Sequence, residues 1–551
     1  MIRNELKRSL FKQENDNFSI HSLHLRHWRS HLKDELRGVW VTTVRNMDFP
    51  DPIVFAEGNL NAEAFKREYL DVLKRSKELK LNAIFFQVRP QGDAFYDSKL
   101  NPWSQYLTGR QGRAPLDGFD PLAWMVEAAH MDGMEFHAWL NPYRLTPSTV
   151  HCESIESCMA LLSANHPLRQ HPEWAYFFNG GLYLNPGVPE VTQFLVATVR
   201  EILEKYDVDA IHLDDYFYPY SYETEVDGQI KSVNFADVAP DLATFEAHKQ
   251  DGQSIDQWRE ANINALIKRI HGAIAEYNQR NKRSVAFGVS PFGVWASAEE
   301  TEGIGSLTSP YQLSSLSEFV NSKLWIDEGW LDYIVPQNYW GQNHPLSPFK
   351  NVATWWDQIV DGKKTHLYMG LGPYLYEEDA ENPDWQRPEE IVDQIHFLRT
   401  LPRHDGYVFF SYANLDEDRT ENGVLLKALQ KLKTEVQPYF ALVPPRDHLQ
   451  EGATPPVANL SVSSEEGCHV LHFEDAANPL TRFYVIYRHE GASGELDIEN
   501  AANILDIVGK NQRTAYQTYT DAGADCHAPY TYGVTALSQA QVESSPVFIH
   551  T

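Results

Sequence analysis

The chain is 551 residues long and 42% hydrophobic, with 47 Lys and Arg against 76 Asp and Glu, for a formal charge of −29. So acidic a surface argues against nucleic acid or anionic membrane as partner, because both are polyanions, and favours a substrate that is neutral or locally guided. The length accommodates a large barrel plus one small module, and no apolar run approaches the ~18–20 residues of a membrane span.

Residues 1–35 read as an N-terminal extension, charged and His-rich, without the apolar stretch of a secretory signal. From residue 36, apolar strand-like runs alternate eight times with amphipathic stretches. The runs are Arg37–Thr43, Asn82–Val88, Met134–Leu140, Val208–Leu213, Val285–Ser290, Asp332–Pro336, His366–Leu371 and Gly406–Phe410. Helix candidates between them include Asn61–Lys80, Pro121–Asp132, Pro189–Tyr206, Ile255–Tyr277, Pro388–Thr400 and Glu421–Lys433. In the first of these, Phe65, Tyr69, Val72 and Leu73 recur at helical spacing and form one apolar stripe. Several open on Pro, which suits a first helical turn. Serial βα units predict an α/β chain with a closed (β/α)8 TIM barrel over residues 36–440. A doubly wound open sheet would want a Gly-rich phosphate turn after its first strand, and Thr42-Thr43-Val44-Arg45-Asn46 is nothing like one.

Pro pairs at Pro444-Pro445 and Pro455-Pro456 bracket a linker, residues 441–456. Over residues 457–551 come the alternating runs Ala458–Val462, Cys468–Phe473, Arg482–Arg488, Tyr516–Tyr519 and Tyr530–Leu537, which predict a small all-β immunoglobulin-like sandwich. Phe483-Tyr484-Val485-Ile486-Tyr487-Arg488 and Tyr530-Thr531-Tyr532-Gly533-Val534-Thr535-Ala536 resemble a fibronectin type III domain, with Phe473 where that family usually has Trp. The four cysteines lack zinc-site spacing; a local disulfide is possible within Cys152/Cys158 and within Cys468/Cys526, and free thiols are the alternative. Neither a metal site nor an organic cofactor is expected.

Chemistry in such barrels collects where strands end and βα loops begin. The fourth run ends in Ile211-His212-Leu213-Asp214-Asp215-Tyr216-Phe217-Tyr218, two adjacent carboxylates among aromatic rings. Acids of this kind supply proton donor, base or nucleophile in glycoside hydrolysis, and rings supply flat faces for pyranoses. Alternation puts His212 and Asp214 on one face of the strand and Ile211 and Leu213 on the other, so the polar pair is expected in the barrel mouth, with Asp214 as leading catalytic residue and Asp215 leaning over the same site. The remaining strand ends contribute Trp40, Gln87, Arg89, Trp139, Asn141, Tyr143, Arg144, Trp295, Gln337, Asn338, Tyr339, Tyr374 and Tyr412. With His212, Tyr216 and Tyr218, these form the candidate substrate-binding set, rich in the amides, hydroxyls and rings that suit a hydroxyl-rich ligand. If the second carboxylate stands on another strand, Asp93 comes first, with Asp48 and Glu377 behind it; Arg89, four residues before Asp93, could orient it or bind a substrate carboxylate.

Arg37-Gly38-Val39-Trp40-Val41, Phe86-Gln87-Val88-Arg89-Pro90, Ala138-Trp139-Leu140-Asn141-Pro142-Tyr143-Arg144, Val289-Ser290-Pro291-Phe292-Gly293-Val294-Trp295, Pro336-Gln337-Asn338-Tyr339-Trp340 and Phe409-Phe410-Ser411-Tyr412, with the fourth-strand run, resemble the glycosyl-hydrolase-like ten family of bacterial cell-envelope proteins. The resemblance spans roughly residues 36–435 and implies a glycosidase barrel acting on peptidoglycan glycan strands stripped of their peptides, placed in the cell envelope or periplasm. The missing signal leaves a cytoplasmic location as the alternative. Two functions compete: an O-glycosyl hydrolase of N-acetylhexosamine polymers, and a catalytically silent carbohydrate-binding barrel. The sandwich lacks the barrel's inventory, so the barrel is expected to cut short soluble glycans without it.

Overall fold

In the computed structural model, the described residues run from 32 to 551, apart from 56–59, 147–150, 227–228, 311–312, 451, 466, 476–479 and 492–495; most of the N-terminal extension therefore lies outside them. Eight parallel strands close into a barrel: β1 (Leu36–Val41), β2 (Ala83–Arg89), β3 (Glu135–Leu140), β4 (Ala210–Leu213), β5 (Ala286–Val289), β6 (Tyr333–Ile334), β7 (His366–Leu371) and β8 (His404–Phe409). Neighbours in sequence are neighbours in the ring, and β8 pairs with β1. The outer layer comprises α1 (Ala62–Glu78), α2 (Pro121–Met131), α3 (Pro189–Lys205), α4 (Ile255–Asn281), α5 (Ser322–Asp327), α6 (Phe349–Ile359), α7 (Glu390–Leu398) and α8 (Gly423–Lys431). The apolar stripe of α1 is buried as its spacing predicts, and Asn61 caps it by accepting from the Ala64 N–H.

Alternation along the strands sorts two cores. Ile211 and Leu213 join the large apolar layer between strands and helices, whereas Ala210 faces the interior with Trp40, Phe85, Trp139, Tyr333 and Tyr368. Pairing places Trp139 beside His212, His212 beside Gly288 and Gly288 beside Tyr333. Gly288 has no tolerable substitute, since a Cβ there would lie 2.0 Å from the Tyr333 ring. That ring stacks parallel to His212 and helps fill the barrel below the cleft.

The C-terminal strands form two antiparallel sheets, one of β9 (Ala458–Glu465), β10 (Cys468–Glu474) and β13 (Tyr516–Asp521), the other of β11 (Thr481–Glu490), β12 (Ile504–Gly509), β14 (Tyr530–Ser538) and β15 (Val547–His550). The pattern of sequence alternation does not single out β12, whose residues are buried or half-buried without a period of two, or β15, which is only four residues long. Phe473 and Tyr484 pack edge-on at 4.8 Å between the sheets.

This module closes the end of the barrel away from the βα loops. Arg446, fully buried, pairs with the equally buried Glu135 at the start of β3, and Gln541 donates to Glu135 at 2.9 Å. Arg482 forks onto Asp207 at 2.6 and 2.8 Å and reaches Asp209 at 3.1 Å. Val443 lies inside the barrel's own core. The expectation of a barrel indifferent to its sandwich is therefore replaced: the linker and sandwich supply the charges that its lower end needs. Cys152 and Cys158 form a disulfide, while Cys468 and Cys526 remain free.

Candidate active site

At the opposite end, the strand termini and βα loops surround a cleft of about 830 Å³. Asp214 and Asp215 lie in it at the end of β4. Asp214 Oδ2 accepts from Trp139 Nε1 and from Asn141 Nδ2, both at 3.1 Å, while Oδ1 has no partner among the described residues. Burial, opposed by Arg144 and reinforced by Asp215, raises its pKa to about 7. Asp215 is also raised, by burial, but accepts hydrogen bonds from the Tyr220 hydroxyl and from Gln337, which favour its charged form. Adjacent carboxylates thus meet different surroundings: one is left protonatable with a free oxygen, the other is clamped as an acceptor.

Rings line the cleft in two groups. Tyr339, Tyr374 and Phe410 pack at 5.7–5.9 Å from one another, with Trp40 behind Phe410 at 6.1 Å. Phe292 packs on Trp340 at 5.5 Å and on Tyr220 at 6.1 Å, and Tyr220 meets Tyr216 at 5.6 Å. Gln87 accepts from the Thr43 and Val44 N–H groups, which leaves its Nε2 unbonded. Apolar faces interspersed with amides and hydroxyls are what a pyranose presents in complement.

The structure brings Trp40, Gln87, Trp139, Arg144, Asp214, Asp215, Tyr216, Gln337, Tyr339 and Tyr374 to this cleft. The other candidates stand elsewhere. Arg89 is fully buried and does not line the cleft; it braces the loop after β3, donating to the Asn141 carbonyl at 2.6 Å and the Pro142 carbonyl at 3.2 Å. Asp93 is buried beside Gln111 and Ser104, outside the cleft wall; burial raises it to about 6, which reflects its enclosure alone. Asn141 acts on Asp214 rather than on substrate. Tyr143 packs against Phe217, Tyr218 against Phe235 and Phe319, and Trp295 stacks on Trp355. Asn338 donates to the Phe349 carbonyl, and Tyr412 lies under the Arg419 guanidinium. These are core positions because their side chains point away from the cleft toward helices and loops.

His212 is corrected too. It sits beneath the cleft floor with no exposed surface. Its Nε2 accepts from Trp40 Nε1 at 3.3 Å and lies 3.0 Å from Ser290 Oγ, so Nδ1 carries the proton and donates to the Tyr333 hydroxyl at 3.2 Å. Tyr333 hands on to His137 Nδ1 at 3.0 Å, and His137 Nε2 donates to Glu135 at 2.8 Å. Burial, with His137 nearby, keeps His212 well below the usual imidazole range, hence neutral.

Sequence reasoning passed over Tyr220, which lies beyond the strand-end motif after Pro219, and Phe410, whose inward direction follows from alternation with Val408. Asp48 lines the cleft, but both oxygens are engaged: Ser411 Oγ and the Ala413 N–H donate to Oδ1, the Thr42 N–H to Oδ2. Glu377 and Glu378 stand exposed at the rim.

The glycosyl hydrolase-like 10 family matches residues 35–387. The chain is 35% identical over 515 residues to glycosyl hydrolase YngK of Bacillus subtilis, covering 93% of this chain and 92% of that one. It is 31% identical over 399 residues to glycosyl hydrolase DigH of Escherichia coli K12, covering 71% of this chain and 85% of that one. Among solved structures, the glycoside hydrolase domain of PgaB from Bordetella bronchiseptica aligns with a TM-score of 0.38 at 14% identity, over 70% of this chain and 96% of that chain.

Proposed function

The chain belongs to the glycosyl hydrolase-like 10 family and is a glycosidase, and we propose that it cleaves N-acetylhexosamine-containing glycan strands, with peptide-free peptidoglycan as the substrate. The observation that carries this reading is the division of labour between Asp214 and Asp215. Below about pH 7, Asp214 holds a proton and has a free Oδ1, as a general acid requires. Asp215, held by Tyr220 and Gln337, is suited to accept the N–H of a substrate acetamido group.

In this scheme, the acetamido oxygen attacks the anomeric carbon while Asp214 gives its proton to the glycosidic oxygen, and the leaving alcohol departs. Asp215 stabilises the oxazolinium through its N–H. Water then adds at the anomeric carbon, returning its proton to Asp214, with net retention of configuration; substrate-assisted hydrolases work by this route. The rings and the unbonded Gln87 amide would hold flanking sugars.

The test is release of reducing ends from purified glycan strands, with the anomer of the new end followed by NMR. De-N-acetylated strands should resist cleavage, and a thiazoline analogue should inhibit far more strongly than substrate binds. Cleavage of de-N-acetylated strands at normal rates would move the nucleophile to a protein group; binding without turnover would favour a silent carbohydrate receptor.

Location in the cell envelope is part of the proposal, supported by the Cys152–Cys158 disulfide, since such bonds persist in oxidising compartments. Alkylation of these thiols in whole cells without reductant would oppose it. The three-on-four sheet arrangement supports a fibronectin type III-like module.

A further inference from the structure

The cleft has a charge asymmetry that the chemistry above does not use. Arg45, in the loop after β1, and Arg144, after β3, both line its wall. Acids outnumber bases 76 to 47 in this chain, and arginines remote from the cleft find them: Arg259 pairs with Asp241, Arg399 with Glu35 and Arg446 with Glu135. Neither Arg45 nor Arg144 forms an ion pair among the described residues.

Arg144 is fixed without being neutralised. Its Nη2 donates to the Pro90 carbonyl at 3.2 Å, and its guanidinium lies over the Tyr216 ring, 4.8 Å from the centroid. Its Nε is buried and has no acceptor. A desolvated cationic N–H without an acceptor is a standing deficit that an incoming oxygen removes. Arg45 is exposed in a left-handed backbone conformation (φ 58°) followed by a second, Asn46 (φ 54°). Asn46 Nδ2 secures that turn on the Pro50 and Tyr106 carbonyls, at 2.8 and 2.7 Å. The two arginines share one sector of the barrel, with only β2 between their strands. Arg144 also acts on Asp214 and Asp215, which sets it next to the cleavage point.

We propose that Arg144, with Arg45, is a carboxylate-recognising subsite, so that the preferred glycan bears an acid substituent on a sugar adjoining the scissile bond. This rests on the glycan-strand reading above. On a muramyl sugar, the substituent is the O-lactyl group, a free carboxylate when its peptide is gone and a neutral amide when the peptide is attached. Charge recognition by these arginines then distinguishes bare from peptide-bearing strands, within a protein whose overall field repels anions.

The test uses the full chain and three probes of matched length: glycan strands with free lactyl carboxylates, the same strands capped as methyl amides, and chitin oligosaccharides. Wild type should favour the free acid over the capped strand by about 10-fold or more in kcat/KM, with the advantage shrinking as salt rises. Arg144→Gln and Arg45→Gln should each reduce that ratio, the double variant should bring it close to one, and Arg144→Lys should keep part of it. If Arg144 only adjusts Asp214, its variants will slow every cleaved probe in parallel with the ratio intact, and the subsite is refuted. Equal cleavage of free and capped strands by wild type refutes it as well, while leaving the hydrolase reading standing. Affinities of the three probes for Asp214→Asn, measured by calorimetry, read the same preference without turnover. A chain that cut none of the probes would end the hydrolase reading, with the subsite still decided by those affinities.

Discussion

The two ends of the barrel bury carboxylates equally well and treat them in opposite ways. At the sandwich end, Glu35 meets Arg37 and Arg399, Glu135 meets Arg446, and Asp209 meets Arg482 and His130. Burial pushes these acids up, but their cations win and hold all three below the ordinary carboxylate range. At the cleft end, Asp214 and Asp215 have no ion-pair partner among the described residues, and both are raised. The difference teaches that burial sets how much is at stake and partners set the sign. Where charges are matched, the fold closes; where they are left unmatched, a substrate finds work to be done.

The largest expected effect breaks the cleft end. Asp214→Asn should lower kcat by about three orders of magnitude or more, since it removes the transferable proton, with glycan affinity nearly kept. Residual activity above roughly a tenth would remove Asp214 from the role assigned here. The matching break at the sandwich end is Arg446→Ala. It strands Glu135 in the interior, and loss of one partner from a buried pair costs about 3–5 kcal/mol; truncation after Pro445 should yield no stably folded barrel. A truncated chain with native melting and full activity would show that the lower end is not sealed by these charges.

The same aspartate also sharpens the comparison through stability. A carboxyl raised in the folded state is protonated there while ionised in the unfolded chain between pH ~4 and ~7. Wild type therefore loses stability across that window, and the loss is complete above it. Asp214→Asn, which cannot ionise, should be more stable than wild type by about 2–4 kcal/mol at pH 8, with no such advantage near pH 3.5. Thermal melts at both pH values check this. Wild-type activity should fall as pH rises through about 7, where Asp214 gives up its proton. Tyr220→Phe should cost about 10-fold in kcat. It withdraws a hydrogen bond that favours ionised Asp215, so the acid limb of the pH–rate profile should move to higher pH; an unmoved limb would detach Tyr220 from Asp215 in function.

How much of this was legible beforehand follows from what periodicity encodes. Strand alternation placed Ile211 and Leu213 against the helices and Asp214 in the mouth, and the structure agrees, because in-or-out facing is a local property of a strand. Depth along the strand is not encoded by alternation. His212 faces inward as expected yet lies one layer too low to meet a ligand. Loop residues are harder still: Arg89 and Arg144 both follow strands and carry the same charge, but one is turned into carbonyls and the other into the cleft. The sandwich's hold on the barrel was invisible because Glu135 and Arg446 are 311 residues apart and neither stands in a motif.

The smallest expected effect asks whether the two ends communicate. One continuous chain of hydrogen bonds joins them, from Trp40 and Ser290 through His212, Tyr333 and His137 to Glu135. Tyr333→Phe removes only the central hydroxyl and keeps the ring that fills the interior against Gly288. It leaves the His212 Nδ1–H without an acceptor, which should lower stability by about 1–3 kcal/mol. Since no member of the chain below Trp40 and Ser290 reaches the cleft, kcat should stay within about 3-fold of wild type. Combined with Arg446→Ala, the stability losses should fall short of their sum, as both variants disturb one network around Glu135; combined with Tyr220→Phe, they should add. Additivity in the first cycle would mean the column is a row of independent bonds. Strong coupling in the second would mean that the sealed end sets the chemistry of the open one.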